Sequence, residues 1–167
     1  MHLVIDGYNL LHAGRSPGGV ADLEIERKRL ISLLAAYRRQ RLCEMTVVFD
    51  GWQTGWVMEQ REREKGIDLV FSKRGEKADE VIKRMVSERG AGVVVVTSDR
   101  EISRFAERMA VSVIPSEQFL ARIEQTSLQP RKEVFREDET EEGEKKKGPS
   151  RRLSKKERRR RAALKKL

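Results

Sequence analysis

The sequence predicts an α/β fold in which helices cover both faces of a mainly parallel β-sheet. Strand-like and helical segments alternate along the chain, an order typical of parallel sheets with crossover helices. The strand-like segments are apolar at successive positions, as in the four valines of residues 93–96. Such runs indicate strands that are buried on both faces. We therefore predict three layers, with the sheet in the middle.

In the first half of the chain, the strands are marked by apolar runs and the turns by Asp-Gly pairs. Residues 3–5 and 46–49 are apolar runs, each followed by Asp-Gly, a pair typical of turns. Between them, residues 22–39 repeat apolar side chains at helical spacing. Residues 52–66 fit neither pattern, and residues 67–72 form the third predicted strand.

The second half of the domain alternates more regularly. Residues 78–90 carry a helical apolar stripe that ends at a glycine, and residues 93–96 are the strongest predicted strand. A helix at residues 99–109 and a short strand at residues 111–114 follow. Pro-Ser then starts the last helix of the domain, at residues 115–124. The predicted domain covers residues 1–128.

The net charge of +9 is concentrated after this domain. Residues 1–128 hold 20 basic and 19 acidic residues and are nearly neutral. Residues 129–150 contain few apolar side chains and are predicted to be a charged, disordered linker. Residues 145–167 contain 13 basic residues and one acidic residue. Such one-sided charge favours a polyanionic partner, of which nucleic acid is the first candidate.

Residues 151–167 are therefore predicted to be a basic RNA-binding arm whose affinity depends on salt and not on sequence. Ser154 and Glu157 have the spacing of a capping box, which predicts a helix over residues 154–167. A helix this short is marginal alone in water and is expected to order on a polyanion. The alternative is a solvated tail. The candidate RNA-binding residues are Arg151, Arg152, Lys155, Lys156, Arg158, Arg159, Arg160 and Arg161.

Acidic side chains follow several predicted strands. Asp6 and Asp50 come directly after strands, and Asp99 follows the valine strand by two residues. Asp79 lies at the start of a helix that follows a strand and loop. Each residue alone has an ordinary explanation as a turn or helix-capping residue. Together they would crowd one edge of a parallel sheet, where ligands bind in such folds, and Mg²⁺ or Mn²⁺ would relieve their repulsion.

Other polar residues close to this edge are candidates for substrate contacts. Asn9 is predicted either to hydrogen-bond a ligand there or to stabilise a turn. Ser98 is predicted either to contact a phosphate or to cap a helix. Arg74, Lys77 and Arg100 are candidates for phosphate contacts, although exposed basic residues are often only solvated.

Several classes of protein are excluded by composition. Cys43 is the only cysteine, so the chain contains no internal disulfide, which fits a reducing cytoplasm. One cysteine and two histidines do not make a typical structural zinc site. No apolar run approaches the length of a membrane span. We therefore expect a cytoplasmic protein.

Four motifs occur in order at residues 5–11, 48–51, 70–80 and 96–101, and they begin with Ile-Asp-Gly-Tyr-Asn-Leu-Leu. Together they closely resemble the YacP-like branch of the NYN domains, over roughly residues 1–125. The basic arm also looks like tails of this branch. The resemblance implies a PIN-like nuclease fold and metal-dependent endoribonuclease activity on mRNA or rRNA, in association with the ribosome.

Carried over to this sequence, the resemblance assigns catalytic roles to Asp6, Asn9, Asp50, Asp79 and Asp99. It implies that Asp6, Asp79 and Asp99 hold Mg²⁺ or Mn²⁺, and it leaves the role of Asp50 less defined.

The sequence leaves the roles of several residues, and two alternative functions, open. Lys77 departs from the family pattern, in which a small or hydroxyl residue is expected. Trp52 and Trp56 either stack on bases or pack in the core. A non-catalytic RNA- or ribosome-binding protein and a phosphatase are the alternative functions, although the first strand lacks the Asp-x-Asp nucleophile motif of a phosphatase.

Overall fold

The computed structural model describes residues 1–14, 23–51, 56–128 and 154–166. Within these residues, the strands are β1 His2–Asp6, β2 Glu44–Phe49, β3 Gln60–Glu64, β4 Ile67–Phe71, β5 Val93–Val96 and β6 Ser112–Ile114. These six strands form one sheet in the order β3-β4-β2-β1-β5-β6. Neighbouring strands are parallel, except that β3 is antiparallel to β4.

The helices cover both faces of the sheet. Along β1, Leu3 and Ile5 belong to one apolar core and Val4 belongs to the other, because successive strand residues point to opposite faces. The helices are α1 Gly7–Ala13, α2 Leu23–Arg41, α3 Ala78–Arg89, α4 Arg100–Arg108, α5 Ser116–Leu128 and α6 Lys155–Lys166. Helices α1, α2 and α5 pack on the first face, and α3 and α4 pack on the second. The predicted three-layer α/β fold is therefore confirmed.

Two elements were not predicted, namely the short helix α1 and the strand β3. The sequence of β3 is Gln-Arg-Glu-Arg-Glu, which has no apolar pattern. The strand forms because it closes a hairpin with β4 through Lys65 and Gly66, whose φ angles are 50° and 81°. Two successive positive φ angles match the twist of a two-residue hairpin. A charged strand also suits the edge of a sheet, since it discourages pairing with another chain.

The C-terminal helix α6 begins with the capping box that the sequence predicts. The Ser154 N–H donates to Glu157 Oε2 at 2.9 Å, and the Glu157 N–H donates to Ser154 Oγ at 3.2 Å. The helix lies beside the edge strand β6, and Ala163 is buried in the core formed by the first face. The domain itself therefore provides a docking surface for α6. The predicted linker at residues 129–150, with Arg151 and Arg152, lies outside the described residues.

None of the described helices is long and apolar enough to cross a membrane.

Candidate active site

Asp6 occupies the centre of the carboxyl edge of the sheet. It is the last residue of β1 and also the N-cap of α1, where its Oδ1 accepts a hydrogen bond from the Asn9 N–H at 3.1 Å. Its Oδ2 accepts a hydrogen bond from the Thr97 hydroxyl at 3.0 Å. The residue is only 8% exposed. The end of β1 and the start of α1 thus hold the buried carboxylate of Asp6 in a fixed orientation.

The environment of Asp6 opposes its ionisation. The pKa of the Asp6 carboxyl is raised from 3.8 to about 6, mainly by burial and in smaller part by the negative charges of Asp79 and Asp50. The hydrogen bonds from Asn9 and Thr97 act in the opposite direction but do not cancel the effect of burial. A positive charge at this position would therefore be stabilised.

Asp50 follows β2 and connects it to helix α3. Its Oδ1 accepts a hydrogen bond from the N–H of Ala78, the first residue of α3, at 2.6 Å. Lys77, the residue before α3, offers no side-chain cap to the described N–H groups. Asp50 therefore caps this helix from another strand, in a position where a negative charge is favourable. This contact brings α3 to the acidic edge.

Asp79 lies in the first turn of α3. Burial raises the pKa of its carboxyl, the charge of Asp99 raises it further, and the ammonium group of Lys83 lowers it. Asp99 is the N-cap of α4 and accepts hydrogen bonds from the N–H groups of Glu101 at 2.7 Å and Ile102 at 2.9 Å. The four predicted acids therefore lie at one edge, where the charges of Asp79 and Asp50 act on Asp6, and those of Asp99 and Asp50 act on Asp79.

The side chain of Asn9 connects three segments at this edge. Its Oδ1 accepts hydrogen bonds from the Ser98 N–H at 2.8 Å and from the Ser116 hydroxyl at 2.6 Å. The Ser98 hydroxyl accepts from the Ser116 N–H at 3.0 Å and donates to Glu117 at 2.6 Å. Asn9 and Ser98 thus hold α1, the loop before α4 and the start of α5 together. In this arrangement the polar oxygens of both side chains contact protein groups that join the three segments, and the Asn9 backbone N–H contacts Asp6.

The basic residues that the sequence predicts to contact phosphates come from two separate segments. The side chains of Arg74 and Lys77 are exposed in the loop before α3, and Arg100 is exposed at the start of α4. The Arg74 N–H donates to the carbonyl oxygen of Trp56 at 2.8 Å. Trp56 packs edge-on against Phe71, with ring centroids 5.4 Å apart, as a core-packing residue would. Trp52 lies outside the described residues.

Thr97 and Lys83 are site residues that the sequence did not single out. The Thr97 hydroxyl donates to Asp6 and accepts from the Asp99 N–H at 3.0 Å, so it links the two acids. Lys83 lies one helical turn after Asp79 and binds Glu101 at 2.5 Å. Two signals were available in the sequence: Thr97 directly follows the valine strand, and Lys83 is four positions after Asp79, the spacing at which side chains meet on a helix.

A family model of the YacP-like NYN domain matches residues 3–166. The chain belongs to the YacP-like NYN domain family. Crystal structures of Rae1 (YacP) from Bacillus subtilis have the same fold. One superposes with a TM-score of 0.59 at 23% identity and covers 76% of this chain and 75% of that chain. A single-residue mutant of Rae1 gives a TM-score of 0.61 at 22% identity and covers 75% and 76%.

A search of curated proteins found no match. Membership of the YacP-like NYN family supports a nuclease-like, RNA-related role for this chain. The family match extends through α6, so the basic helix lies within the region that the family model describes.

The acidic edge of this NYN domain offers oxygen ligands but not a closed set of them. Among the described residues, no group of three or more His, Cys, Asp or Glu side chains converges closely enough to hold a metal. The available donors are carboxylate oxygens, which suit Mg²⁺ or Mn²⁺, and Mg²⁺ commonly keeps several waters and binds one or two carboxylates. The edge therefore fits a hydrated cation better than a closed protein cage.

The contacts of Asn9 in this NYN domain predict a measurable cost when its amide is removed. Replacing Asn9 with Ala leaves the fully buried Ser116 hydroxyl and the Ser98 N–H without their acceptor. Leaving a buried donor unpaired costs about 1–3 kcal/mol, and because the Ser98 N–H is exposed and can bond to water, we expect urea unfolding to show a total loss of about 1–3 kcal/mol. The matched control is Gln40→Ala on the exposed side of α2. A loss equal to that of the control would contradict the positioning role of Asn9.

Proposed function

We propose that the protein is a cytoplasmic, metal-dependent endoribonuclease that hydrolyses RNA phosphodiester bonds. The observation that carries the proposal is the acidic edge of this NYN domain, where burial and neighbouring carboxylates raise the pKa values of Asp6 and Asp79. The clustered carboxylates give this site a negative electrostatic potential, which a bound divalent cation would neutralise. The proposal includes mRNA cleavage in association with the ribosome.

The residues of the chain divide into those that meet the cation and those that hold them. We assign a hydrated metal to the edge formed by Asp6, Asp79 and Asp99, as the family resemblance implies; one or two of these carboxylates would bind it directly and the remainder would bind through its waters. Thr97 and Asn9 orient Asp6, and Asp50 fixes the helix that carries Asp79. When bound, the metal would supply Lewis acidity toward water and toward the phosphate oxygens.

RNA as the substrate is supported by charge as well as by family. An acidic edge without a cation repels a phosphodiester, so the phosphate that is cut would reach the carboxylates only with the metal present, even when the rest of the strand is held by basic residues. Arg74, Lys77 and Arg100 are exposed around this edge, where they can offset the repulsion of the RNA backbone. These basic side chains would bind phosphates without reading the base sequence.

The direct test is cleavage of an end-labelled RNA by the full chain with Mg²⁺ or Mn²⁺ and with EDTA. We expect internal cuts with the metals and none with EDTA. Asp79→Asn should lower the rate by on the order of 10²–10³-fold, the loss typical when one charge-stabilising group is removed. Asp68→Asn is the matched control, because Asp68 is exposed near the start of β4, at the opposite end of the strand.

Two results would reject the proposal in favour of another function. Release of terminal phosphate without internal cuts would indicate a phosphatase. A shift in RNA mobility without products under any metal condition would indicate a non-catalytic binding protein. Mapping the cuts with and without purified ribosomes tests the ribosome separately, since the proposal expects cleavage sites to change or to become stronger when ribosomes are added.

A further inference from the structure

A cleft of about 630 Å³ lies between α4, β6 and α6. Its volume falls within the range of small-ligand sites, about 300–1,000 Å³. One wall comes from α4, the floor comes from the edge strand β6, and the other wall comes from the C-terminal helix. At its inner end the cleft is lined by Thr97 and Ser98.

The cleft is basic on both walls. Arg100 and Arg104 come from α4, and Lys155, Arg159 and Arg160 come from α6. Among the described residues that line it, one is acidic, Glu107 on α4. The two walls therefore present an excess of positive charge to whatever occupies the space between them.

The cleft is continuous with the acidic edge of the sheet. Thr97 and Ser98 line it, and the Thr97 hydroxyl donates to Asp6. Asp99 follows Ser98 directly and starts α4, the helix that supplies one basic wall. A polyanion lying in the cleft would therefore pass next to the carboxylates at its inner end.

Helix α6 is oriented by specific contacts and not by charge alone. Arg160 Nε donates to Gln118 Oε1 at 2.9 Å, and Ala163 is buried against the domain. As a result, Lys155 and Arg159, one helical turn apart, line the cleft. Arg158 and Arg161 lie outside the lining and are exposed. The helix thus has one basic face in the cleft and another facing solvent.

We propose that this cleft binds the sugar–phosphate backbone of one RNA strand and directs it to the acidic edge. This inference rests on the proposed endoribonuclease function and specifies how its substrate is held. Arginine suits the role because its guanidinium binds phosphate oxygens in a bidentate manner. Among the described lining residues none is aromatic, so the cleft lacks a base-stacking platform and binds independently of sequence. Its small volume fits one strand.

The test compares two charge-matched double variants on the same helix. Lys155→Gln with Arg159→Gln removes two charges from the cleft, and Arg158→Gln with Arg161→Gln removes two from the solvent face. Binding of a fluorescein-labelled single-stranded RNA is measured by anisotropy in EDTA, over a series of salt concentrations. We expect the cleft variant to lose about tenfold or more in affinity and its salt slope to become shallower by about 1.4, since each phosphate contact contributes about 0.7. The solvent-face variant should change affinity by less than about twofold, because Arg158 and Arg161 lie outside the cleft, although the sequence predicts them among the RNA-binding residues.

Arg104→Gln provides a test that does not depend on α6 remaining folded. It changes the opposite wall, and we expect weaker binding with a salt slope shallower by about 0.7. Equal losses in the two double variants, no effect of Arg104→Gln, or no RNA binding by the wild-type chain would overturn the proposal. Displacement of the RNA by polyglutamate at equal charge concentration would overturn RNA as the occupant.

The same data separate this inference from the proposed function. Binding in EDTA requires no hydrolysis, so a selective loss in the cleft variants supports the cleft even when the chain does not cut RNA. Cleavage that is equally fast in both double variants, at RNA concentrations below the Kd, would overturn the cleft while leaving the nuclease assignment intact.

Discussion

Replacing Asp6 with Asn is expected to abolish RNA cleavage and to stabilise the fold at neutral pH. Loss of activity should be on the order of 10²–10³-fold or more, because the variant removes a buried negative charge from the centre of the proposed metal site. The stabilisation follows from the same burial, since the ionised carboxylate is disfavoured in the folded chain. Asn keeps a side-chain oxygen for the N-cap of α1.

The stabilisation has a defined pH dependence in metal-free solution. The pKa of Asp6 is about 6 in the folded chain, against 3.8 for the ordinary group. Folding therefore favours the protonated carboxyl, and its contribution to stability is fully present below about pH 3.8 and is lost as the pH rises through about 6. Above pH 6 the penalty amounts to at most about 3 kcal/mol.

Urea unfolding of the Asp6→Asn variant in EDTA, at pH 4 and at pH 7.5, checks this expectation. The gain over the wild-type chain should be large at pH 7.5 and small at pH 4. Asp68→Asn, which changes an exposed carboxylate, should show no comparable difference. If the variant were destabilised by the same amount at both pH values, Asp6 would act mainly as the N-cap of α1, and its ionisation would not destabilise the folded chain.

The sheet could be predicted because its central strands carry their own signal. The valines of β5 and the apolar run of β1 are buried on both faces, and burial of this kind leaves an unbroken hydrophobic pattern in the sequence. Strand β3 has no such signal, because pairing with β4 and an exposed edge position determine its conformation. Even within a hairpin, the pairing of a polar edge strand leaves no apolar pattern in its own sequence.

The acids could be predicted for a related reason. The carboxyl ends of parallel strands share an edge, so Asp6, Asp50 and Asp99 follow from the strand assignment alone. Their hydrogen-bond partners do not follow from it. Asp50 caps a helix 28 positions later through Ala78, and Asn9 reaches Ser116 across 107 positions. Contacts over such distances depend on packing that a single sequence does not display.

Replacing Gly51 with Ala is expected to have the largest effect on stability of any change at this edge. A Cβ at Gly51 would lie 1.8 Å from the carbonyl oxygen of Ser72 and 3.0 Å from its carbonyl carbon. The clash is with backbone, so no side-chain rotation relieves it. The Gly51 N–H also donates to Ser72 Oγ at 3.0 Å, and the Ser72 N–H donates to the Phe49 carbonyl at 3.0 Å. The ends of β2 and β4 would have to separate.

We expect a loss of at least about 3 kcal/mol in urea unfolding, at the upper end of overpacking costs. Gly92→Ala is the matched control, because no described atom lies within 4 Å of the Cβ it would add. That variant should stay within about 1 kcal/mol of the wild-type chain. Wild-type stability in Gly51→Ala would contradict the close approach of the two strands.

The same substitution also tests what Asp50 does. Asp50 precedes Gly51 and caps α3 through Ala78, and α3 carries Asp79 into the acidic edge. If the strand ends separate, this cap is lost and the position of Asp79 changes with it. A Gly51→Ala chain that still folds in the cold should therefore cut RNA much more slowly than its folded fraction predicts. Cleavage in proportion to the folded fraction would show that the acidic edge does not depend on the cap.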